Sequence, residues 1–440
     1  MNTVQVSIPE EFQHHDEKIG MKKLGLFMVA VGSIFFLISF TAVTNLNPIL
    51  FFILSIGLAC TGAVIFFYAQ LKSTLPGVKK NGTMFSSMKG RGFLGWVTAV
   101  FLTGIYVLIY WFPELLQNVN RILDWLSYWM TGNPANQWFL YGTLYTIAVL
   151  VMGIRMIIHN RHNRYQVIRT LSVMSVQLFL AYLIPTLMKY GFFFSYFWPL
   201  KPEYFYPGYV IGMFSKPDLL PTYLILWAIM MAFIGTPILT YFFGKRWYCS
   251  WVCGCGALAE TMGDPYRQNS DKTLKSWMIE RWMVHSVLLI IIIITAALWI
   301  NHLGDGMIFG EYSRQAAKWY GFFIGAMFAG IIGVGFYPIM GSRVWCRFGC
   351  PMAATLGIFQ RFFSRFRITT NGGQCISCGN CSTYCEMGID VRAYAQRGQN
   401  IIRSSCVGCG VCAEVCPRGV LRLENGPRKG RYMINEEIEV

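Results

Sequence analysis

Eight of the fourteen cysteines fall within residues 375–417. Cys375, Cys378, Cys381 and Cys385 follow C-x2-C-x2-C-x3-C, and Cys406, Cys409, Cys412 and Cys416 repeat it with Pro417 behind. A cubane iron–sulfur cluster takes four thiolates: three closely spaced cysteines wrap one face and the fourth comes from the other motif. The spacing therefore predicts one [4Fe–4S] cluster on Cys375, Cys378, Cys381 and Cys416, and a second on Cys406, Cys409, Cys412 and Cys385. Gly379, Gly408 and Gly410 suit tight ligand loops whose amides point at sulfur. Glu386 stands where the second motif has Pro417, a change that loosens the turn and removes no ligand. Zinc also accepts four cysteines, but eight in a doubled spacing point away from it.

Four further cysteines form a second repeat. Lys245–Ala257 and Ser342–Ala354 align at Arg246/Arg343, Cys249/Cys346, Cys253/Cys350 and Ala257/Ala354, with aromatics at Tyr248/Trp345 and Trp251/Phe348. Each is a C-x3-C pair behind an apolar run. If the segment is helical, cysteines at i and i+4 share a face. Cys249, Cys253, Cys346 and Cys350 then form a candidate site for a further metal (copper, zinc or another iron–sulfur cluster), or for a dithiol–disulfide cycle. The alternative is four small apolar side chains packed in helices, which two matching pairs with matching flanks argue against. Cys255 is a spare ligand candidate, and Cys60 reads as core packing.

These ligands need a scaffold. The chain has 440 residues and net charge +16; 55% of it is hydrophobic and only 13% charged, against about 25% for soluble domains. Eight stretches approach the ~20 apolar residues of a membrane helix: 24–45, 48–70, 94–112, 138–158, 170–188, 222–243, 283–300 and 320–340. The first is too long, and its flank too polar, for a cleaved signal peptide. With the N-terminus inside, the inner stretches carry 23 Lys and Arg and the outer loops six, a positive-inside bias that puts both termini in the cytoplasm. The same bias accounts for the positive charge without nucleic acid. The expected fold is an all-α polytopic bundle of about eight transmembrane helices with a small C-terminal α+β domain of the bacterial two-cluster ferredoxin type. The segments are an N-terminal stretch 1–23, the bundle 24–341, an amphipathic connector 342–370, the ferredoxin-like domain 371–425 and a tail 426–440. That domain has little core of its own, so the clusters are expected to hold it together.

Two other features carry expectations. The aromatic-rich outer loop 190–209 reads first as an interfacial belt and second as a docking surface or quinone pocket. Gly321, Gly325, Gly330, Gly333 and Gly335 suggest close helix packing at 320–340. The six histidines, among them His14, His15, His159, His162, His285 and His302, offer no evident facing pair for a haem.

Apolar helices, two C-x3-C motifs and a two-cluster tail together resemble the NapH/NosR/CcoG group of membrane polyferredoxins over roughly 220–420. The resemblance implies electron transfer in nitrate or nitrous-oxide respiration, or copper reduction during oxidase assembly. It falls on Cys249, Cys253, Cys346, Cys350 and the eight tail cysteines. The sequence departs from the group at Gly254, where the motif has Pro, and in its extra helices at 24–188. No flavin-binding domain of the NosR kind precedes them, and no β-sandwich follows as in CcoG. The reading that results is an electron-transfer subunit of the bacterial inner membrane, working with partner subunits or quinone rather than as a free-standing enzyme. A cupric reductase using the paired cysteines is the alternative.

Overall fold

The computed structural model describes residues 18–41, 47–72, 91–188, 190–371 and 374–425. His14, His15, most of the N-terminal stretch and the tail 426–440 lie outside them. Among the described residues eight helices are long and apolar enough to cross a membrane: α1 (Ile19–Ile38), α2 (Pro48–Gln70), α3 (Phe93–Trp111), α4 (Gln137–His159), α5 (Arg164–Leu187), α6 (Leu219–Phe243), α7 (Leu274–Leu303) and α8 (Tyr312–Gly335). Polar side chains start several of them. Asn47 Oδ1 accepts from the Leu50 amide at 3.1 Å ahead of Pro48. Asn136 Oδ1 accepts from the Trp138 and Phe139 amides, and Thr273 caps α7. Each satisfies a backbone donor that the first helical turn leaves open.

The chain forms two compact units, Met1–Met84 with Leu108–Ile168, and Phe85–Val107 with Arg169–Val440. In the first, α1 and α2 meet backbone to backbone. A Cβ on Gly25 would fall 2.7 Å from the Gly62 carbonyl, and one on Gly32 would fall 2.8 Å from Ser55 O. Small residues permit this approach, which membrane helices use in place of a hydrophobic driving force.

The second unit holds every cysteine except Cys60. Here α7 begins nine residues earlier than hydropathy suggests. In its polar first turns only Ser276 and Glu280 are buried, where they face inward onto Arg347. Close packing of α8 lies in its second half, where Gly330 is buried. Gly333 abuts Trp345 and Gly335 abuts Thr103, while Gly321 and Gly325 have nothing within 4 Å of a built Cβ. In α5 and α6 a widened, i→i+5 turn (Phe179–Leu183 and Met231–Gly235) precedes Pro185 and Pro237. The wider turn relieves the clash of the proline ring with the carbonyl four residues back.

The 190–209 segment differs from the belt expected. Phe192 and Phe197 are 0% and 1% exposed. Phe192 stacks on Tyr204 at 4.6 Å, and Trp198 stacks on Phe233 of α6 at 5.7 Å. The segment folds back along α6, which is 25 residues and so about 37 Å long, as far as Trp247 and Tyr248 beyond that helix's end. Burying rings of this size removes a large apolar area from solvent, and their offset and edge contacts add to it.

Past α8, short helices Val344–Phe348 and Pro351–Phe363 lead to strand β1 (Arg367–Thr369), which pairs antiparallel with β2 (Arg422–Glu424). The strand pair closes around the eight tail cysteines and draws the last residues of the expected connector into their fold. The tail shares its core with the membrane-face segments: Met387, Ile389, Val407 and Val420 lie in one buried cluster with Tyr248, Trp345 and Leu356.

Candidate functional site

The tail repeats itself at an interval that the backbone preserves. Ser377 and Gly408 both take left-handed φ, 58° and 65°. Gly379 and Gly410, at φ 77° and 82°, precede the short helices Asn380–Thr383 and Val411–Glu414. Gly388 and Gly419 repeat the pattern at 65° and 59°. In each half the third cysteine, Cys381 or Cys412, sits in the first turn of its helix, where amides point toward sulfur. Such a left-handed turn is a glycine position; Ser377 is the one residue of the set that takes it with a side chain.

Cys375, Cys378, Cys381 and Cys416 line one cavity together with Arg392 and Arg418. This is the crossed combination expected from the spacing, with Cys416 coming from the second motif. The other four lie within electrostatic reach: burial, and after it Cys409, Cys406, Cys385 and Cys381, raises the Cys412 thiol well above its ordinary value. Burial pushes the Cys381 thiol up to about 11 and those of Cys406 and Cys409 up to about 12. Clustered thiols held this high stay protonated unless a metal takes the proton's place, and metal coordination deprotonates a thiol outright. Among the described residues no three Cys, His, Asp or Glu side chains converge at single-ion distance. A cubane, with one thiolate at each of four corners, does not require them to. The donor set therefore fits [4Fe–4S] clusters.

The paired cysteines are built from a second repeat, of a different shape from the single helix expected. The helix Arg246–Cys249 ends at the first cysteine, the chain turns, and Cys253 is the N-cap of the helix Gly254–Thr261. The second copy does the same: Cys346 lies in Val344–Phe348 and Cys350 caps Pro351–Phe363. The turn bonds match, with Cys253 N donating to Tyr248 O at 2.8 Å and Cys350 N to Trp345 O at 2.9 Å. Cys350 Sγ accepts from the Ala353 amide at 3.4 Å. Two helix N-termini thus end on cysteines, where partial positive charge favours thiolate.

All four sulfurs are buried and in electrostatic reach of one another. A hydrogen bond from Cys255 lowers Cys253 to about 7, and desolvation pushes Cys249 up to about 12 and Cys350 well above its ordinary value. Gly254, at the motif's usual proline, has a steric cause. A Cβ there would fall 2.2 Å from the Tyr196 hydroxyl oxygen and 2.8 Å from Gln177 Oε1. The infolded aromatic segment occupies the place of the ring, and Tyr248 anchors it by donating to Ser195 O at 2.7 Å.

Between the two cysteine sites lies a charge network that spacing alone does not reveal. Arg343 is fully buried. Its Nη1 donates to Cys249 O at 3.2 Å and lies 3.7 Å from Cys346 Sγ, and its Nη2 donates to Glu386 at 3.0 Å and to Glu260. Glu260 pairs in turn with Arg169, and Arg267 donates to Glu386 at 2.8 Å and to Asp264 at 2.7 Å. Three arginines thus meet three carboxylates. Burial would raise the Glu386 carboxyl, but Arg267, Arg343 and Arg169 outweigh it and hold it below the usual carboxylate range.

Glu386, adjacent to Cys385, is thereby the joint between tail and membrane face. Around it, Ser270 Oγ donates to Glu386 O at 2.7 Å, Ser250 Oγ to Val407 O at 2.8 Å, and Gln360 Nε2 to Cys406 O at 2.8 Å. The sequence signals were an Arg three residues before each first cysteine and the missing proline; neither named its partner. The aligned Arg246 does not share Arg343's role and stacks on Phe366 at 5.0 Å.

Eight apolar helices and these cysteine repeats define a multi-pass membrane protein with [4Fe–4S]-binding domains. The family model described as a 4Fe-4S binding domain matches residues 225–273 and 320–369, each stretch holding one cysteine pair. The 4Fe-4S dicluster domain matches 367–417. Among characterised sequences the chain is similar to YccM of Escherichia coli (strain K12), by its name a candidate electron transport protein. The two are 29% identical over 173 residues, which are 37% of this chain and 46% of the relative. The match thus spans less than half the relative's length. No solved structure matches.

Proposed function

We propose that this protein carries electrons between a donor and a membrane redox partner through two [4Fe–4S] clusters in its tail. Cys375, Cys378, Cys381 and Cys416 would hold one, and Cys406, Cys409, Cys412 and Cys385 the other. Each such group supplies one-electron transfer with no bond to make or break. The chain contributes position and environment: the repeated left-handed turns orient amides toward sulfur, the shared core excludes water, and the Arg343–Glu386 joint holds the tail against the paired cysteines. Those pairs are the next stage, as a further metal centre or a redox dithiol. The observation that carries the reading is the cavity ringed by the four crossed cysteines. The family match and the name of the similar Escherichia coli protein support it.

Within that class, the paired C-x3-C motifs favour the NapH/NosR/CcoG group, and the charge bias favours a bacterial inner membrane with the tail cytoplasmic. The donor is then a cytoplasmic protein or quinol. The test is iron and acid-labile sulfide per chain on anaerobically purified protein. Two cubanes require about eight of each. About twelve iron would place a third cluster on the paired cysteines, and zinc in place of iron would sink the proposal. A second reading, reduction of Cu(II), is favoured by the buried thiols of Cys249, Cys253, Cys346 and Cys350 with half-buried Cys255 beside them, since soft thiolates select Cu(I). It requires bound copper that is lost in Cys249→Ser and Cys346→Ser.

A further inference from the structure

The two cysteine tetrads of the tail differ in their access to solvent. In the second, Cys406 and Cys412 are buried and Cys385 adjoins the buried joint at Glu386. In the first, Cys381 alone is buried, Cys378 is exposed, and Cys375 and Cys416 are half-buried, as are Cys385 and Cys409 of the second. Arg392 and Arg418, both exposed, line the cavity of the first tetrad, as does Ile376, which is 55% exposed.

The charge around that cavity is one-sided. Among the described residues of 374–425, the charged side chains that are exposed are Arg392, Arg397, Arg418 and Arg422. The carboxylates are withdrawn. Glu386 is buried in ion pairs, Asp390 accepts from Ser382 Oγ at 2.7 Å, and Glu414 and Glu424 are half-buried. An exposed redox edge with an apolar centre and a cationic rim has the make-up of a transient docking face: small in area, steered by charge, released by salt. Guanidinium forks match carboxylates in two-pronged geometry.

Resting on the cluster reading above, we propose that the rim of Arg392 and Arg418 around Cys378 is the docking surface for a small acidic electron-carrier protein. Docking there sets the carrier's centre against the Cys375/Cys378/Cys381/Cys416 tetrad. One electron then passes: the carrier is oxidised by one and the tetrad's cluster is reduced by one, with no proton or bond moved. The opposite tetrad, against the Arg343–Glu386 joint, is the inward end.

The probe is an acidic plant-type [2Fe–2S] ferredoxin in its oxidised form, titrated onto the whole, iron-loaded protein in lipid-free detergent micelles, with cationic cytochrome c as the control. The ferredoxin should bind, and its affinity should fall by about tenfold or more between roughly 0.05 and 0.5 M salt. Arg392→Glu with Arg418→Glu should weaken it by about tenfold at low salt, compared per iron-loaded chain so that loss of a cluster is told apart from loss of docking, and Arg392→Gln with Arg418→Gln by less. Equal affinity for cytochrome c, or undiminished binding by both double variants, overturns the docking proposal while leaving the clusters in place. If the arginines act only in membranes containing anionic lipid and not in micelles, they meet headgroups and the proposal fails. Protein lacking iron altogether fails the cluster reading first, and the docking surface with it.

Discussion

Arg343 makes the boldest commitment of any single side chain here. Its guanidinium is 0% exposed and divides its donors between a sulfur, a backbone carbonyl and two carboxylates on different segments. A buried ion pair adds little net stability when whole, but removing one partner strands the other and costs about 3–5 kcal/mol. Arg343→Met should therefore destabilise the fold by about that much, because Glu260 loses one of two arginines and Glu386 does too. Arg343→Lys keeps the charge without the fork and should fall between. Denaturant melts of the detergent-solubilised protein read both; a Met variant as stable as the parent would show the network to be idle. Sequence could not disclose this hub. The substitution of Glu386 for proline was legible, and so was the repeated arginine. Their meeting depends on contacts 43 residues apart, and local pattern carries no such information.

At the scale of elements, periodicity and length recovered all eight spans, because a membrane helix must be long and apolar whatever it packs against. What they missed depends on neighbours. The early turns of α7 are polar and were left out, although Arg347 makes their Ser276 and Glu280 buried partners. Glycine density points at α8, yet among the spans the closest backbone-to-backbone approach at glycine is between α1 and α2, since density does not say which face meets a partner. Composition reads the aromatic segment at 190–209 as a belt, and it folds inward because α6 and the first cysteine turn leave room for it. That room is bounded by Gly254. Gly254→Ala should cost about 1–3 kcal/mol through overpacking against the Tyr196 hydroxyl. Tyr196→Phe, which removes the nearest atom, should return part of the loss when combined with it. A double-mutant cycle on thermal stability checks the pair. Additive effects would mean that Tyr196 does not occupy the missing proline's place.

At the scale of the molecule, the issue is whether the tail is a separate module joined to a bundle, as its sequence suggests, or one body with the membrane-face segments. Composition predicts a module: a polar stretch with its own eight cysteines after the last apolar run. The structure gives that stretch little core except what it shares with Tyr248, Trp345 and Leu356. The two tetrads then sit in unlike surroundings. Cys378 lies at the outer edge, and Cys412 lies inside the shared core at 6% exposure. Disturbance should follow that difference. Cys378→Ser should cost at most its own cluster, about half the iron, and leave the paired cysteines as protected as before. Cys412→Ser should cost similar iron but also loosen the common core, so that Cys346 and Cys350 become open to alkylation. Iron per chain and mass-spectrometric mapping of maleimide adducts on the two variants measure this directly. A modular tail would give both variants the same labelling at Cys346 and Cys350. A shared core requires labelling to rise in Cys412→Ser alone, because that cysteine's loop packs where the Gln360 side chain holds the Cys406 carbonyl at 2.8 Å and where Ser250 reaches Val407.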